Sequence, residues 1–102
     1  MLGKTRRTGC EGPAGHVECV IDEPPGPARG VCVLCHPHPQ HGGTMENKVV
    51  QTLARAFVQL GYRAVRFNFR GVGASQGHWG HGVGEIEDAL AVVKAWRAPG
   101  LP

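Results

Sequence analysis

Long apolar runs, clustered charges and aromatic residues are all scarce in this sequence, and each shortage excludes a class of partner. Because no apolar run approaches the ~20 residues of a membrane span, no membrane partner is expected. Lysine and arginine are scattered apart from Lys4, Arg6 and Arg7, the net charge is only +3, and two Trp, one Tyr and three Phe offer no stacking platform. Nucleic acid is therefore not an expected partner either.

An export signal is also not expected. Arg6-Arg7 resembles a twin-arginine signal and Gly9-Cys10 resembles a lipoprotein cleavage site, but no apolar stretch lies near either pair. The four cysteines are then expected to be free thiols in a reducing compartment. We expect a cytoplasmic protein.

Glycine and proline, in contrast, are abundant, with 16 and 8 residues that divide the chain into short elements. We expect one domain over residues 1–102, flexible over residues 1–13. Its expected elements are a strand at 16–21, a buried strand at 30–36, a helix at 46–60, a strand at 63–70 and a helix at 85–97. This order predicts an α/β fold, in which a partial parallel or mixed sheet is flanked by helices.

Apolar residues at helical spacing predict which face of each helix is buried. In the first helix Glu46 is expected in the first turn and Gly61 at the end. The buried stripe of this helix is predicted to contain Val49, Val50, Leu53, Phe57 and Leu60. The stripe of the second helix is predicted to contain Ile86, Ala89, Leu90, Val93 and Trp96.

The residues that follow the apolar run 31–35 have the composition of a functional loop. The sequence HPHPQHGG at 36–43 stands just before the first helix. Its two prolines carry no N–H, so the loop is stiff and offers few backbone donors. Ligands of α/β sheets bind at the carboxyl ends of the strands, so this loop and the glycine-rich loop at 71–84 are expected to share one edge of the sheet.

Several sequence blocks together resemble a known family. They are GPAG at 12–15, HPHP at 36–39, GGTM at 42–45, NKVV at 47–50 and RFNFRGVG at 66–73. The blocks are similar to the amino-terminal half of bacterial α/β-hydrolases, in particular the small, lidless, dienelactone-hydrolase-like esterases. The resemblance covers about residues 12–97. It implies a serine hydrolase that uses a Ser, Asp and His triad and an oxyanion hole on small ester or related acyl substrates, without a cofactor.

The same resemblance implies roles for individual residues. The backbone N–H of His38 is implied to be one donor of the oxyanion hole, where a rigid donor lowers the barrier by about 3 kcal/mol. The implied substrate-pocket residues are His36, Pro37, Gln40, Gly42, Gly43 and Asn47. The implied turn after the fourth strand contains Arg70, Gly71, Gly73 and Ser75. In this turn the two glycines are expected to have positive φ, and backbone carbonyls are expected to hold Arg70.

The sequence departs from the family pattern in one respect. The nucleophile, the triad Asp and the triad His are expected on elements that follow the second helix, and the sequence stops at Pro102. We therefore expect a protein that is truncated before the nucleophile and inactive alone. The run GASQG at 73–77 matches G-x-S-x-G, but the further glycines that follow it prevent a helix from beginning there. Ser75 is accordingly expected to be a loop serine.

Three alternatives remain. In the first, His36, His38 and His41 form a metal-binding module for a transition metal. In the second, CVLCH at 32–36 binds haem, although its two cysteines point to opposite faces of a strand. In the third, the chain is a non-enzymatic fragment that needs a partner chain. In the strand order of the family the strand at 31–35 lies between the fourth and fifth strands, so a chain truncated after residue 102 is expected to leave it as an open edge and to self-associate through it.

Overall fold

Four strands and two helices form the structure, a computed structural model that describes residues 4–37 and 42–97. In chain order the elements are β1 (Thr5–Gly12), β2 (Gly15–Asp22), β3 (Val31–Leu34), α1 (Lys48–Gln59), β4 (Arg63–Phe67) and α2 (Val83–Trp96). The strands form one sheet in the order β1-β2-β4-β3. β2 is antiparallel to both of its neighbours, and β3 is parallel to β4. The predicted α/β fold with a mixed sheet is confirmed.

The first strand lies within residues 1–13, which were expected to be flexible, and corrects that expectation over Thr5–Gly12. β1 pairs with β2 along its whole length, from Thr5 opposite Asp22 to Gly12 opposite Gly15. The two strands join through a tight turn that ends at Gly15, whose φ of +112° favours glycine. β1 is an edge strand in which four residues are exposed and four are half-buried, so most of its side chains are polar although its backbone is paired. Its composition therefore resembles that of a loop.

β3 forms the other edge of the described sheet. It is shorter than the predicted strand and pairs with β4 from Val31 opposite Arg63 to Leu34 opposite Arg66. The predicted burial is wrong for most of β3, because only Leu34 is buried. A strand with a neighbour on one side only leaves part of each residue open to solvent.

The two helices cover opposite faces of the sheet. Successive residues of a strand point to opposite faces, so Ala64 packs on the α1 side and Val65 on the α2 side. On the α1 side the buried cluster consists of Leu34, Val50, Ala54, Val58 and Ala64. On the α2 side it consists of Val17, Cys19, Ile21, Val65, Phe67, Phe69 and Val92.

Helix α1 begins after a polar capping residue and ends before a glycine. The Asn47 side chain accepts hydrogen bonds from the N–H groups of Val49 and Val50, which are among the unpaired donors of a helix start. Glu46 therefore precedes the cap, and its predicted place in the first turn is wrong. Gly61 follows the helix with a φ of +92°, so the predicted end is confirmed.

The buried stripe of α1 differs from the predicted one. Its buried residues are Val50, Ala54 and Val58, four residues apart, and they lie over β3 and β4. Leu53 and Leu60 are 43% and 58% exposed, so their predicted burial is wrong. The small side chain of Ala54 allows the helix to approach the sheet along this stripe of buried residues, which apolar periodicity alone did not predict.

Helix α2 begins two residues before the predicted start, and only part of its predicted stripe packs on the sheet, where Ala89 and Trp96 are half-buried against the core. Glu85 and Asp88 face inward together with Val92. The apolar side chains of Ile86 and Leu90 are 63% and 56% exposed. The partners of the two carboxylates account for this orientation and are described below. Within residues 4–37 and 42–97, neither helix combines the length and the apolar character that a membrane span requires.

Candidate functional site

Two loops meet at the carboxyl ends of β3 and β4, as the parallel pairing of these strands requires. His36 follows β3 by two residues and joins the loops directly. Its Nε2 accepts a hydrogen bond from the backbone N–H of Phe69 at 3.1 Å. Its Nδ1 lies 2.6 Å from the carbonyl oxygen of Pro37. The imidazole is only 5% exposed and packs edge-on against the Phe69 ring, with 4.8 Å between the ring centroids.

These contacts define the protonation state of His36. Nε2 receives a proton from a backbone amide, so it carries a lone pair and the ring proton lies on Nδ1. The Nδ1–H group then donates to the Pro37 carbonyl. Burial lowers the pKa of His36 below its ordinary value, and the hydrogen bond to Pro37 opposes this effect in part. The ring is therefore neutral near pH 7, with both nitrogens engaged.

Asn68 connects the same two loops at a second point. Its Oδ1 accepts from the backbone N–H of Met45 at 2.9 Å, and its Nδ2 donates to Glu18 Oε1 at 2.8 Å. The same carboxylate oxygen accepts from the N–H of Ala74 at 2.9 Å. The Ala74 amide is the main cause that lowers the pKa of Glu18, and Asn68 adds to it. One buried amide side chain thus binds both loops to β2.

Ser75 belongs to this network. Its hydroxyl donates to the Asn68 carbonyl at 2.6 Å and accepts from the Glu18 N–H at 2.8 Å. The side chain is buried in a turn, and α2 begins only at Val83. A G-x-S-x-G nucleophile stands exposed at the start of a helix, which this serine does not.

The turn after β4 has the backbone that its glycines permit. Gly71 and Gly73 have φ values of +80° and +54°. A Cβ on Gly73 would lie 2.6 Å from Asn68 Nδ2 and 2.8 Å from Glu18 Oε1, so a larger residue would disturb the network described above.

Arg70 is held by a carboxylate, which corrects the expectation that backbone carbonyls hold it. Asp88 Oδ1 accepts from Arg70 Nη2 at 2.8 Å, and Asp88 Oδ2 accepts from the Arg70 backbone N–H at 2.9 Å. Asp88 is fully buried, and its hydrogen bond raises the pKa of Arg70. The guanidinium lies against Gly84, where a Cβ would come within 2.5 Å of Nη1. This close contact requires a glycine in the first turn of α2.

Glu85 stabilises the start of the same helix. Its Oε2 accepts from the Gly80 N–H at 2.9 Å and its Oε1 from the Gly82 N–H at 3.0 Å. Burial raises the pKa of Glu85, but these amides and the charge of Arg70 outweigh it and lower the pKa. The inward-facing acids of α2 are thus fully occupied by the turn and by the loop that precedes the helix.

The predicted site residues are described only in part. His38, Gln40 and His41 lie outside the described residues. Gly43 is buried and Pro37 and Gly42 are exposed. Asn47 uses its side-chain oxygen to cap α1, and His36 uses both ring nitrogens within the protein.

Glu18, Asn68 and Asp88 were not predicted as site residues. The block FNFRGVG contains Asn68, but its partners lie 23 and 50 residues away. No local signal in the sequence indicates these distant pairs. Asp88 lies near the start of α2, where its partner Arg70 is 18 residues away in sequence.

Among residues 4–37 and 42–97, no group of three or more His, Cys, Asp or Glu side chains is placed to hold a metal ion. A cavity of about 200 Å³ lies beneath α1 rather than at the loops. Its lining residues are Thr5, Asp22, Glu23, Gln51, Arg55, Val58 and Arg66.

Comparisons with known proteins agree with this fold. Residues 19–98 match the model of the X-Pro dipeptidyl-peptidase (S15) family. An uncharacterized protein of Rickettsia prowazekii is 43% identical over 82 residues, which are 80% of this chain and 34% of that protein. The structure of an alpha-beta serine hydrolase homologue from Coxiella burnetii is 52% identical with a TM-score of 0.85, over 88% of this chain and 44% of that one. A lidless α/β serine hydrolase from Xanthomonas campestris is 42% identical with a TM-score of 0.83, over 92% of this chain and 46% of that one. The chain thus spans less than half the length of these relatives.

Proposed function

Since the chain belongs to the X-Pro dipeptidyl-peptidase (S15) family and has the fold of the amino-terminal half of an α/β serine hydrolase, we propose that it supplies the oxyanion-binding half of such an enzyme. The proposed substrates are esters or related acyl compounds. The proposed donor is the backbone N–H of His38, which follows Pro37 in the loop after β3. His36, Pro37, Gln40, Gly42, Gly43 and Asn47 are proposed to surround the substrate.

The observation that carries this proposal is the double connection between the two loops. His36 binds the Phe69 backbone and Asn68 binds the Met45 backbone, so the loop after β3 is attached to the loop after β4 on both sides of the proposed donor. An oxyanion donor stabilises a transition state only if its direction is set before the reaction begins. The two buried hydrogen bonds that His36 and Met45, which flank the proposed donor in sequence, form with Phe69 and Asn68 support this proposal.

A backbone donor is tested by removing its N–H. A hybrid is made in which residues 1–102 replace the matching segment of the Coxiella burnetii protein, and hydrolysis of p-nitrophenyl acetate is measured. His38→Pro removes the N–H and is expected to lower kcat by about 10²–10³-fold. His38→Ala keeps the N–H and is the matched control, with kcat within about threefold of the unsubstituted hybrid. Equal losses in the two variants would refute the backbone role.

The nucleophile is proposed to lie outside these 102 residues. Support comes from Ser75, whose hydroxyl is buried between Asn68 and Glu18. The 102-residue chain is therefore expected to give no turnover of p-nitrophenyl acetate above background. Turnover that disappears in Ser75→Ala would contradict this part of the proposal.

A second assay distinguishes the proposed ester substrates from the X-Pro peptide substrates that the family name indicates. The hybrid is offered a p-nitrophenyl ester and an X-Pro p-nitroanilide at equal concentration. We expect cleavage of the ester. Cleavage of the anilide alone would assign peptidase rather than esterase chemistry.

We also propose that the isolated chain self-associates through the open edge of β3. Arg63 N–H donates to the Gly30 carbonyl, so by alternation Val31 and Val33 direct their backbone groups away from β4. Unpaired edge groups of this kind pair readily with another strand. Light scattering in reducing buffer is expected to show dimers or larger species, and Val33→Pro, which removes one outward N–H, is expected to reduce them. A monodisperse monomer would refute this proposal.

A further inference from the structure

The cavity beneath α1 lies apart from the two loops described above, and charged side chains form much of its wall. We propose that this cavity binds a short-chain aliphatic carboxylate, whose oxygens accept hydrogen bonds from the guanidinium groups of Arg66 and Arg55. The inference does not depend on the proposed function, because none of the lining residues belongs to those loops.

An unpartnered donor in the cavity wall is the first step of the argument. Arg66 follows Ala64 by two residues on β4, so its side chain lies on the α1 side of the sheet. The residue is only 8% exposed, and its Nη1 donates to the Met45 carbonyl at 3.0 Å. Within residues 4–37 and 42–97, its buried Nε has no hydrogen-bond partner. A buried charged donor without an acceptor is costly, so a ligand that supplies an acceptor is favoured beside it.

The carboxylates of the cavity wall are already paired with cations. Asp22 Oδ2 lies 3.5 Å from Arg66 Nε, which makes an ion pair but leaves Nε without a hydrogen bond. Glu23 pairs with Arg63 at 2.8 Å and with Arg6 at 3.4 Å. These acids therefore do not favour a cationic ligand.

The charge balance around the cavity favours a monoanion. Arg55 is exposed on α1 and forms no hydrogen bond or ion pair with the part of the chain that the structure describes. The charged lining residues and their ion-pair partners are four arginines and three carboxylates, namely Arg6, Arg55, Arg63, Arg66, Asp22, Glu23 and Glu46. The surplus is one positive charge, which a single carboxylate would neutralise.

The size and shape of the cavity narrow the choice of anion. Its volume of about 200 Å³ is below the range of about 300–1,000 Å³ that is typical of pockets for drug-sized ligands. Val58 is 5% exposed and supplies an apolar wall for a short alkyl chain. A planar carboxylate matches the edge of a guanidinium group, whereas Asp22 beside Nε would repel a doubly charged phosphate. Butyrate meets these requirements and serves as the probe.

Arginine Nε–H resonances of the ¹⁵N-labelled 102-residue chain report binding directly. Sodium butyrate is titrated at constant ionic strength, with sodium chloride in its place in the reference samples. We expect the Arg66 Nε–H resonance to shift saturably in the millimolar range, and saturating butyrate to raise the melting temperature. An equal shift in sodium chloride, or no saturable shift with butyrate, would overturn the proposal.

Two substitutions on the same helix separate binding from general attraction. Arg55→Gln removes the unpaired cation of the cavity and breaks none of the hydrogen bonds of the fold, and we expect it to raise the Kd for butyrate by about tenfold. Lys48→Gln removes an exposed positive charge that does not line the cavity, and its Kd is expected to stay within about twofold of the original value. Equal changes in the two variants would refute the role of Arg55.

Asp22 supplies a third test, because it competes with the ligand for Arg66 Nε. Asp22→Asn removes this competing charge, and butyrate is expected to bind about threefold to tenfold more tightly. Weaker binding would contradict the competition. Inorganic phosphate and butylammonium are each expected to bind the original chain at least about tenfold more weakly than butyrate. Equal or tighter binding of either compound would overturn the assignment of a carboxylate.

Discussion

The buried pair of Arg70 and Asp88 makes the stability of the chain sensitive to a single carboxylate. Asp88 is fully buried and accepts bonds from the Arg70 backbone and side chain at distances from 2.8 to 3.2 Å. Removing one partner of a buried pair leaves an uncompensated charge and costs about 3–5 kcal/mol. A domain of this size has a free energy of unfolding of about 5–15 kcal/mol. Asp88→Ala is therefore expected to remove a large part of the total.

Urea unfolding, followed by circular dichroism at 15 °C, measures this effect. Asp88→Asn keeps the shape and one acceptor, and we expect a loss of about 2–3 kcal/mol. Glu87→Gln is the matched control on the same helix. Glu87 lies 3.8 Å from the Arg70 guanidinium but is 54% exposed, so its removal is expected to cost less than about 0.5 kcal/mol.

A double-mutant cycle isolates the interaction itself. Arg70→Met and Asp88→Leu are each expected to destabilise strongly, because each removes the main partner of the other buried charge. The double variant is expected to lose about 2–3 kcal/mol less than the sum of the single losses. Additive losses, or an Asp88→Asn loss no larger than that of Glu87→Gln, would refute the reasoning.

Three further predictions concern other parts of the chain. Because the folded-state pKa of His36 lies below its ordinary value of 6.5, the unfolded chain binds a proton more readily. The contribution of His36 to the free energy of unfolding is therefore expected to decrease progressively as the pH drops from about 6.5 to the folded-state pKa of His36. Chemical denaturation of His36→Gln should lack this decrease. In thiol labelling with a chromogenic aromatic disulfide, the exposed Cys35 is expected to react first, and Cys19, whose pKa burial raises to about 12, is expected to react last; the reverse order would contradict the fold. Gly73→Ala, with a φ of +54° and a contact at 2.6 Å, is expected to lower stability by about 2 kcal/mol. Gly26→Ala, where nothing lies within 4 Å, should stay within about 0.5 kcal/mol, and equal melting temperatures would contradict the strain argument.

The fold was predictable where a local signal carries it. Alternation over residues 16–21, the apolar pattern before Gly61 and the alternation after Arg63 each indicate the observed element. β1 was missed because its partner, not its composition, makes it a strand. The buried faces of both helices were predicted only in part, because apolar periodicity assumes that every apolar side chain of a stripe faces inward. Val50 and Ala89 pack on the sheet as predicted, whereas Leu53 and Leu90 are exposed.

The candidate site was predictable at the level of loops. The position of His36 at the end of β3 and the glycine-rich turn after β4 follow from motif and strand order. The pairs that hold these loops do not, because Glu18 and Asn68 are 50 residues apart, and Arg70 and Asp88 are 18 apart. Whether a carboxylate or an amide side chain stabilises a loop or binds a substrate depends on the groups that surround it in the folded chain.

The inward-facing Glu85 and Asp88 also determine which face of α2 packs on the sheet. A rotation of α2 by about 100° about its long axis is the angle between successive residues of an α-helix. It would place aliphatic side chains such as Ile86 and Leu90 against the sheet in place of the two carboxylates. Burial of apolar surface alone would favour this rotated orientation of the helix. The ionic contact with Arg70 makes the rotated orientation costly, so a chain with aliphatic replacements at both charged positions is expected to populate more than one helix setting, visible as doubled NMR resonances.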